Sequence, residues 1–91
     1  LINSVSLDDK SEFINCNVFP NPSNGTFTVE LGDVYSKVEV EMTDVAGKKV
    51  FKKNYSNVSQ IDYNLKVEGG VYYLKLNYLD DKMSVLRIVI E

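Results

Sequence analysis

The stretch Val18-Phe19-Pro20-Asn21-Pro22-Ser23-Asn24-Gly25-Thr26-Phe27 constrains this chain more than any other. Each proline fixes φ, lacks an amide donor and pushes the residue before it towards extended geometry. Pro20, Asn21 and Pro22 therefore make a stiff corner that can neither slide along a β-ladder nor coil into a helix. Asn24-Gly25 follows with the positive φ values that a tight turn needs. No proline or asparagine acts as acid, base or nucleophile near neutral pH, so the corner is a structural feature and not a catalytic one.

Around this corner the chain reads as short strands. Ile14, Cys16 and Val18 alternate with Asn15 and Asn17 until Pro20 ends the pairing. Phe27, Val29 and Leu31 alternate with Thr26, Thr28 and Glu30, and Gly32-Asp33 closes that strand. Val38, Val40 and Met42 form the next, and Asp44 to Gly47 turns into a less regular strand from Lys48 to Tyr55, where adjacent Val50 and Phe51 face opposite sides. Ser56-Asn57 interrupts before Ile61, Tyr63 and Leu65, and Glu68-Gly69-Gly70 interrupts again. The run Val71 to Tyr78 is the most β-rich, and Asp80-Asp81 turns it back into Met83 to Ile90. Turn signals every 8 to 12 residues, with no competing helical period, predict an all-β domain of about seven strands. An immunoglobulin-like antiparallel β-sandwich buries two such inner faces best, although the Cys-Trp-Cys core of antibody domains is absent; a small barrel is the alternative.

Residues 1–12 are polar and acidic with scattered aliphatics and read as a linker, leaving 13–91 as the domain. Val5 and Leu7 could instead add an edge strand. A start at Leu1, with no charged leader and apolar segment after it, is what a fragment or processed piece would show. The 91 residues make one domain too small for a large internal active site. Its 13 acidic and 10 basic side chains are interspersed, so no basic stripe offers itself to nucleic acid or anionic lipid. The longest apolar runs are far shorter than the roughly 20 residues that span a bilayer, so no membrane insertion is expected.

The absence of histidine removes the commonest general base, metal ligand and nucleophile partner. Asp8-Asp9 and Asp80-Asp81 are adjacent residues on flexible or turn segments, not the separated pair a glycosidase holds across a cleft. Asp80-Asp81 reads as a solvated hairpin turn, with a weak calcium site as the alternative. Cys16 is the lone cysteine and reads as a small buried hydrophobe, a reactive thiol being the alternative. Tyr63, Tyr72 and Tyr78 follow the core alternation, whereas Tyr73 shares its face with Val71 and Lys75 and is the exposed aromatic to suspect in ligand contact. Lys48, Lys49, Lys52 and Lys53 suit a solvated edge strand guarded against aggregation, or else a docking patch. The triplets at Asn24, Asn54 and Asn57 are glycosylation acceptors only in a host that glycosylates. No enzyme and no cofactor are expected.

Four blocks in order, Val18-Phe19-Pro20-Asn21-Pro22, Asp44-Val45-Ala46-Gly47-Lys48-Lys49-Val50, Gly69-Gly70-Val71-Tyr72-Tyr73-Leu74-Lys75 and Arg87-Ile88-Val89-Ile90, resemble the type A C-terminal sorting domain of the type IX secretion system. The resemblance covers about residues 14–91. It implies an immunoglobulin-like module at the end of a larger, N-terminally fused cargo protein of a Gram-negative bacterium. It further implies that the cargo transits the periplasm and passes an outer-membrane translocon with its shuttle proteins. A sortase-like surface protease then removes the module and joins the cargo to lipopolysaccharide. Cleavage would fall in or just before residues 1–12.

The signal residues so implied are Pro20, Asn21, Pro22, Asp44, Gly47, Lys48, Gly70, Tyr72, Lys75 and Arg87, with recognition centred on the last two strands. Arg87 stands where the family more often has lysine, Ala46 where it has a bulkier aliphatic, and Glu91 where the end is usually basic or neutral. Several of these residues also have structural work. Gly70 starts a strand without steric cost, Tyr72 fills the core, and Gly47 supplies positive φ to a turn whose backbone Asp44 bonds. The alternative reading is an extracellular immunoglobulin-like module for adhesion or glycan binding. Glu91 closely follows the last aliphatic run, as a terminal domain would have it.

Overall fold

The computed structural model describes residues 12–13 (backbone), 16–78 and 81–91. Among these there are six strands and no helix: β1 Glu12–Phe13, β2 Asn17–Phe19, β3 Thr26–Asp44, β4 Lys49–Asn64, β5 Gly70–Tyr78 and β6 Lys82–Ile90. β3 pairs antiparallel with β2, β4 and β5, β5 pairs antiparallel with β6, and β1 lies parallel to the start of β6. The expected linker falls outside the described residues except for Glu12, which is in β1.

The all-β, antiparallel expectation holds, but the count and the division into two separate sheets do not. Gly32-Asp33 and Ser56-Asn57, read from sequence as turns, are bends inside continuous strands. The β3–β4 register jumps between Glu30 and Tyr35 on one strand, opposite Gln60 and Val58 on the other. Gly32 (φ 84) and Asn57 (φ 52) take the left-handed backbone there, a conformation open to glycine and tolerated by asparagine. The extra residues on β3 form a bulge, which bends a strand and increases its twist. Both long strands thus turn together, and one hydrogen-bonded network curls over on itself as a half-barrel instead of splitting into seven strands in two sheets.

The bulge also explains the change of parity along β3. Phe27, Val29 and Leu31 point inward before it and Val38, Val40 and Met42 after it, all buried. An unbroken period-two strand would keep odd residues on one face throughout. The curled sheet brings these two sets together with Ile61, Tyr63, Tyr72, Leu74, Leu76, Tyr78, Ile88 and Ile90 in one core. Cys16 packs against this core, half-buried.

Among the described residues β4 pairs only with β3, so its other side is a sheet edge. Phe51 lies partly buried against the core while Val50 faces outward, which resolves the irregular pattern there. Lys53 is register partner to buried Val40, and Lys49 and Lys52 reach Glu41 and Glu39 at 3.4 and 3.6 Å. Charges on and pointing inward from an edge discourage further strand pairing, and exposed pairs of this kind add little stability.

Leu74→Ala is expected to lower the unfolding free energy in urea by about 2–5 kcal/mol, since the side chain is fully buried, whereas exposed Val85→Ala should stay within about 0.5 kcal/mol.

Two core phenols carry a pH dependence. Burial pushes Tyr78 up to about 12, with Cys16 and Tyr35 adding to the rise and the hydrogen bond with Ser84, at 3.0 Å, opposing it. Burial, reinforced by the hydroxyl–hydroxyl contact with Tyr55 at 3.1 Å and by the repulsion of that second phenol, holds Tyr63 above the usual phenol range. The folded chain therefore favours both neutral phenols. Their contribution to stability is full below the unfolded value of about 10 and is lost as pH rises through the folded values. Urea midpoints should accordingly fall from about pH 10 upward, and Tyr78→Phe should flatten that alkaline slope.

Candidate recognition surface

The four sequence blocks lie side by side at one end of the sheet. Thr43 is register partner to both Lys49 and Tyr73, and Tyr73 to Arg87, so one outward-facing row crosses four strands. The next row joins Asp44, Tyr72 and Ile88. Beyond β6 stands the proline corner: Asn21 Nδ2 donates to the Arg87 carbonyl and Asn21 Oδ1 accepts from the Val89 amide, each at 2.9 Å. Segments as far apart in the chain as Asn21 and Val89 thus become neighbours.

Lys75 and Arg87 are exposed on the outer face of the β5–β6 hairpin, Lys75 opposite Val85 and Arg87 opposite Tyr73. Neither has an ion-pair partner among the described residues. Tyr73 is 39% exposed and Val85 50%, so both cations border apolar and aromatic surface, while on its β3 side Lys75 is register partner to Glu41, whose carboxylate is paired with Lys49. Val85 carried no sequence signal, because one valine in an aliphatic strand looks like the others; Tyr73 was legible from its alternation.

Tyr72 lies on the opposite, core side, where its hydroxyl donates to the Glu68 carbonyl at 2.6 Å. It supports the surface and is not part of it. Gly70 begins β5 in open space, since a side-chain carbon there would come no closer than 3.9 Å to the Tyr72 ring. The tight position is its neighbour Gly69, where such a carbon would sit 3.1 Å from the Ile90 carbonyl oxygen. A Gly-Gly pair does not reveal in sequence which member is constrained.

Asp44, Gly47 and Lys48 form the turn between β3 and β4. Gly47 takes φ 85, and its amide donates to the Asp44 carbonyl at 3.0 Å. Asp44 Oδ1 accepts from the amides of Ala46 and Lys48, both at 2.9 Å. This is the job the sequence assigned to the pair. The turn borders a groove lined by Lys48, Lys49, Lys66, Glu68 and Tyr72.

Pro20 and Pro22 are exposed and flank Asn21, and buried Ser23 follows. Ser23 was missed, because a lone serine after proline reads only as turn chemistry. Its amide donates to Val89 O at 2.9 Å, its carbonyl accepts from Glu91 at 2.8 Å, and its Oγ accepts from Gly25 at 3.2 Å. Of the Asn24-Gly25 pair only Gly25 has positive φ (108), and a carbon added there would collide with the Leu65 carbonyl oxygen. Among the described residues no three acidic or cysteine side chains cluster to hold a metal ion. Asp81 has φ 59 in the hairpin turn, and Asp80 lies outside the described residues.

Compared with known families, residues 17–91 match the one described as a secretion system C-terminal sorting domain. The chain belongs to that family. None of the curated proteins compared with it matches. A sorting domain of the type IX system is a signal carried by a secreted or cell-surface cargo protein and read by secretion machinery; the family is not an enzyme class. The match spans all four blocks that the fold brings together.

Within this sorting domain, Asp44→Ala should lower stability by about 1–3 kcal/mol in thermal unfolding, because two turn amides lose a charged acceptor, while Asp44→Asn should recover most of it.

Proposed function

We propose that residues 13–91 direct a cargo fused ahead of them through the outer-membrane translocon of the type IX system, after transit of the periplasm, and that the outer face of the β5–β6 hairpin is what the machinery and its shuttle proteins read. The observation that carries this is the pair Lys75 and Arg87, unpaired and exposed beside Tyr73 and Val85, at the place where the family's blocks converge. Exposed charge rimming aromatic surface suits a transient, specific protein contact. Asp44, Gly47, Lys48 and Tyr72 hold the two rows that present it, Gly70 opens β5 beside the tightly packed Gly69, and Pro20, Asn21 and Pro22 close its far side. The half-barrel is a compact relative of the immunoglobulin-like sandwich, its bent strands β3 and β4 taking the place of strands divided between two sheets. A sortase-like surface protease cuts in or just before residues 1–12 and joins the cargo's new C-terminus to lipopolysaccharide. The module itself performs no catalysis.

A reporter with an export signal, fused ahead of residues 1–91, tests this in a bacterium with an intact type IX system and in a translocon-deleted strain. Reporter at the surface or in the medium of the first, and in the periplasm of the second, is the expected result, and its mass locates the cut. Lys75→Glu with Arg87→Glu should lower export by about tenfold or more at unchanged melting temperature. Periplasmic retention in both strains, with the module folded, would refute the reading and direct attention to glycan or protein binding through Tyr73.

A further inference from the structure

The proline corner faces β6 through side-chain and main-chain groups arranged as a short strand would arrange them. Prolines at 20 and 22 leave no amide hydrogen at either position. The planar Asn21 amide instead supplies one donor and one acceptor, as a peptide group does, to Arg87 C=O and Val89 N–H. Ser23 then continues with its own backbone, bonding Val89 C=O and Glu91 N–H, in a parallel bridge to Ile90. Residues 87, 89 and 91 thus face the corner, and 88 and 90 face β5.

The hydrophobic pattern alone specifies this end of β6 weakly. Leu86, Ile88 and Ile90 repeat with period two, so a two-residue slip would still bury aliphatic side chains. Polar contacts remove that freedom. Ser84 is tied to Tyr78 inside the core near the hairpin turn, and Asn21 and Ser23 hold the other end. The place of Arg87 beside Tyr73 follows from both.

We infer that Asn21 is a positioning residue of the sorting signal: its amide stands in for a peptide group on the outer edge of β6 and sets where Arg87 is presented, without contacting the machinery. This rests on the sorting function proposed above, and its structural half is readable without any secretion assay. In hydrogen exchange on the 91-residue chain, Asn21→Ala should speed exchange of the Val89 and Glu91 amides by about tenfold or more, with Ile88 changed by less than about threefold. Asn21→Asp keeps the acceptor for Val89 and loses the donor to Arg87, so its effect should be intermediate. Equal acceleration at Val89, Ile88 and Leu74 would make the corner a general prop of the fold and overturn the inference. In the reporter assay, Asn21→Ala and Arg87→Ala should each lower export, and the double variant should export as the worse single does. Losses that multiply in the double variant would give Asn21 a contact of its own and overturn it too. If the unaltered module is not exported, the sorting reading falls and this role with it, whatever the exchange rates, so the two failures are told apart.

Discussion

Strand β3 is the constraint on which everything else depends. It hydrogen-bonds to β2, β4 and β5, and its 19 residues are too many for one flat, half-buried layer. The bulge after Glu30 lets one chain serve both sides of the core, switching the buried parity from Phe27, Val29 and Leu31 to Val38, Val40 and Met42. Because β4 bends with it, no chain break is needed between the two halves. A small domain gains from this economy, since each separate connection would cost ordering entropy with little apolar burial in return.

The outer face of the β5–β6 hairpin, the recognition surface we propose, is a consequence of that core. Alternation sends Tyr72, Leu74 and Leu76 inward, and so Tyr73 and Lys75 must point out. Antiparallel pairing with β6 then sets Arg87 beside Tyr73 and Val85 beside Lys75. The residues of the Asp44 turn, Tyr72 and Gly69 act from beneath or beside that surface. The proposed signal would be displayed only by a folded module, because its parts come from four separated blocks.

Much of the strand content was legible. The alternations at 26–31, 38–43, 61–65 and 71–78 correspond to buried and exposed faces in the structure, and Asp44 and Gly47 form the turn their chemistry implied. The number of strands was not legible, because Gly32-Asp33 and Ser56-Asn57 serve equally as turns or as bulges. Local sequence states that positive φ is available at such sites and is silent on whether the strand continues. The same limit hid the separate duties of Gly69 and Gly70.

By itself the sequence determined the all-β character, the inward and outward sets on each strand, and a rigid corner at Pro20 to Pro22, since these follow from period, propensity and fixed dihedrals within a few residues. It also carried the four blocks on which the family resemblance was read, all within the matched residues 17–91. Only the tertiary structure decided that β3 and β4 run on through their bends, that Arg87 stands beside Tyr73, and that Asn21 bonds to a strand 66 residues away. Those are register choices between distant segments. They are made by hydrogen-bond partners that no local pattern specifies, because a period-two strand buries the same face in any register shifted by two.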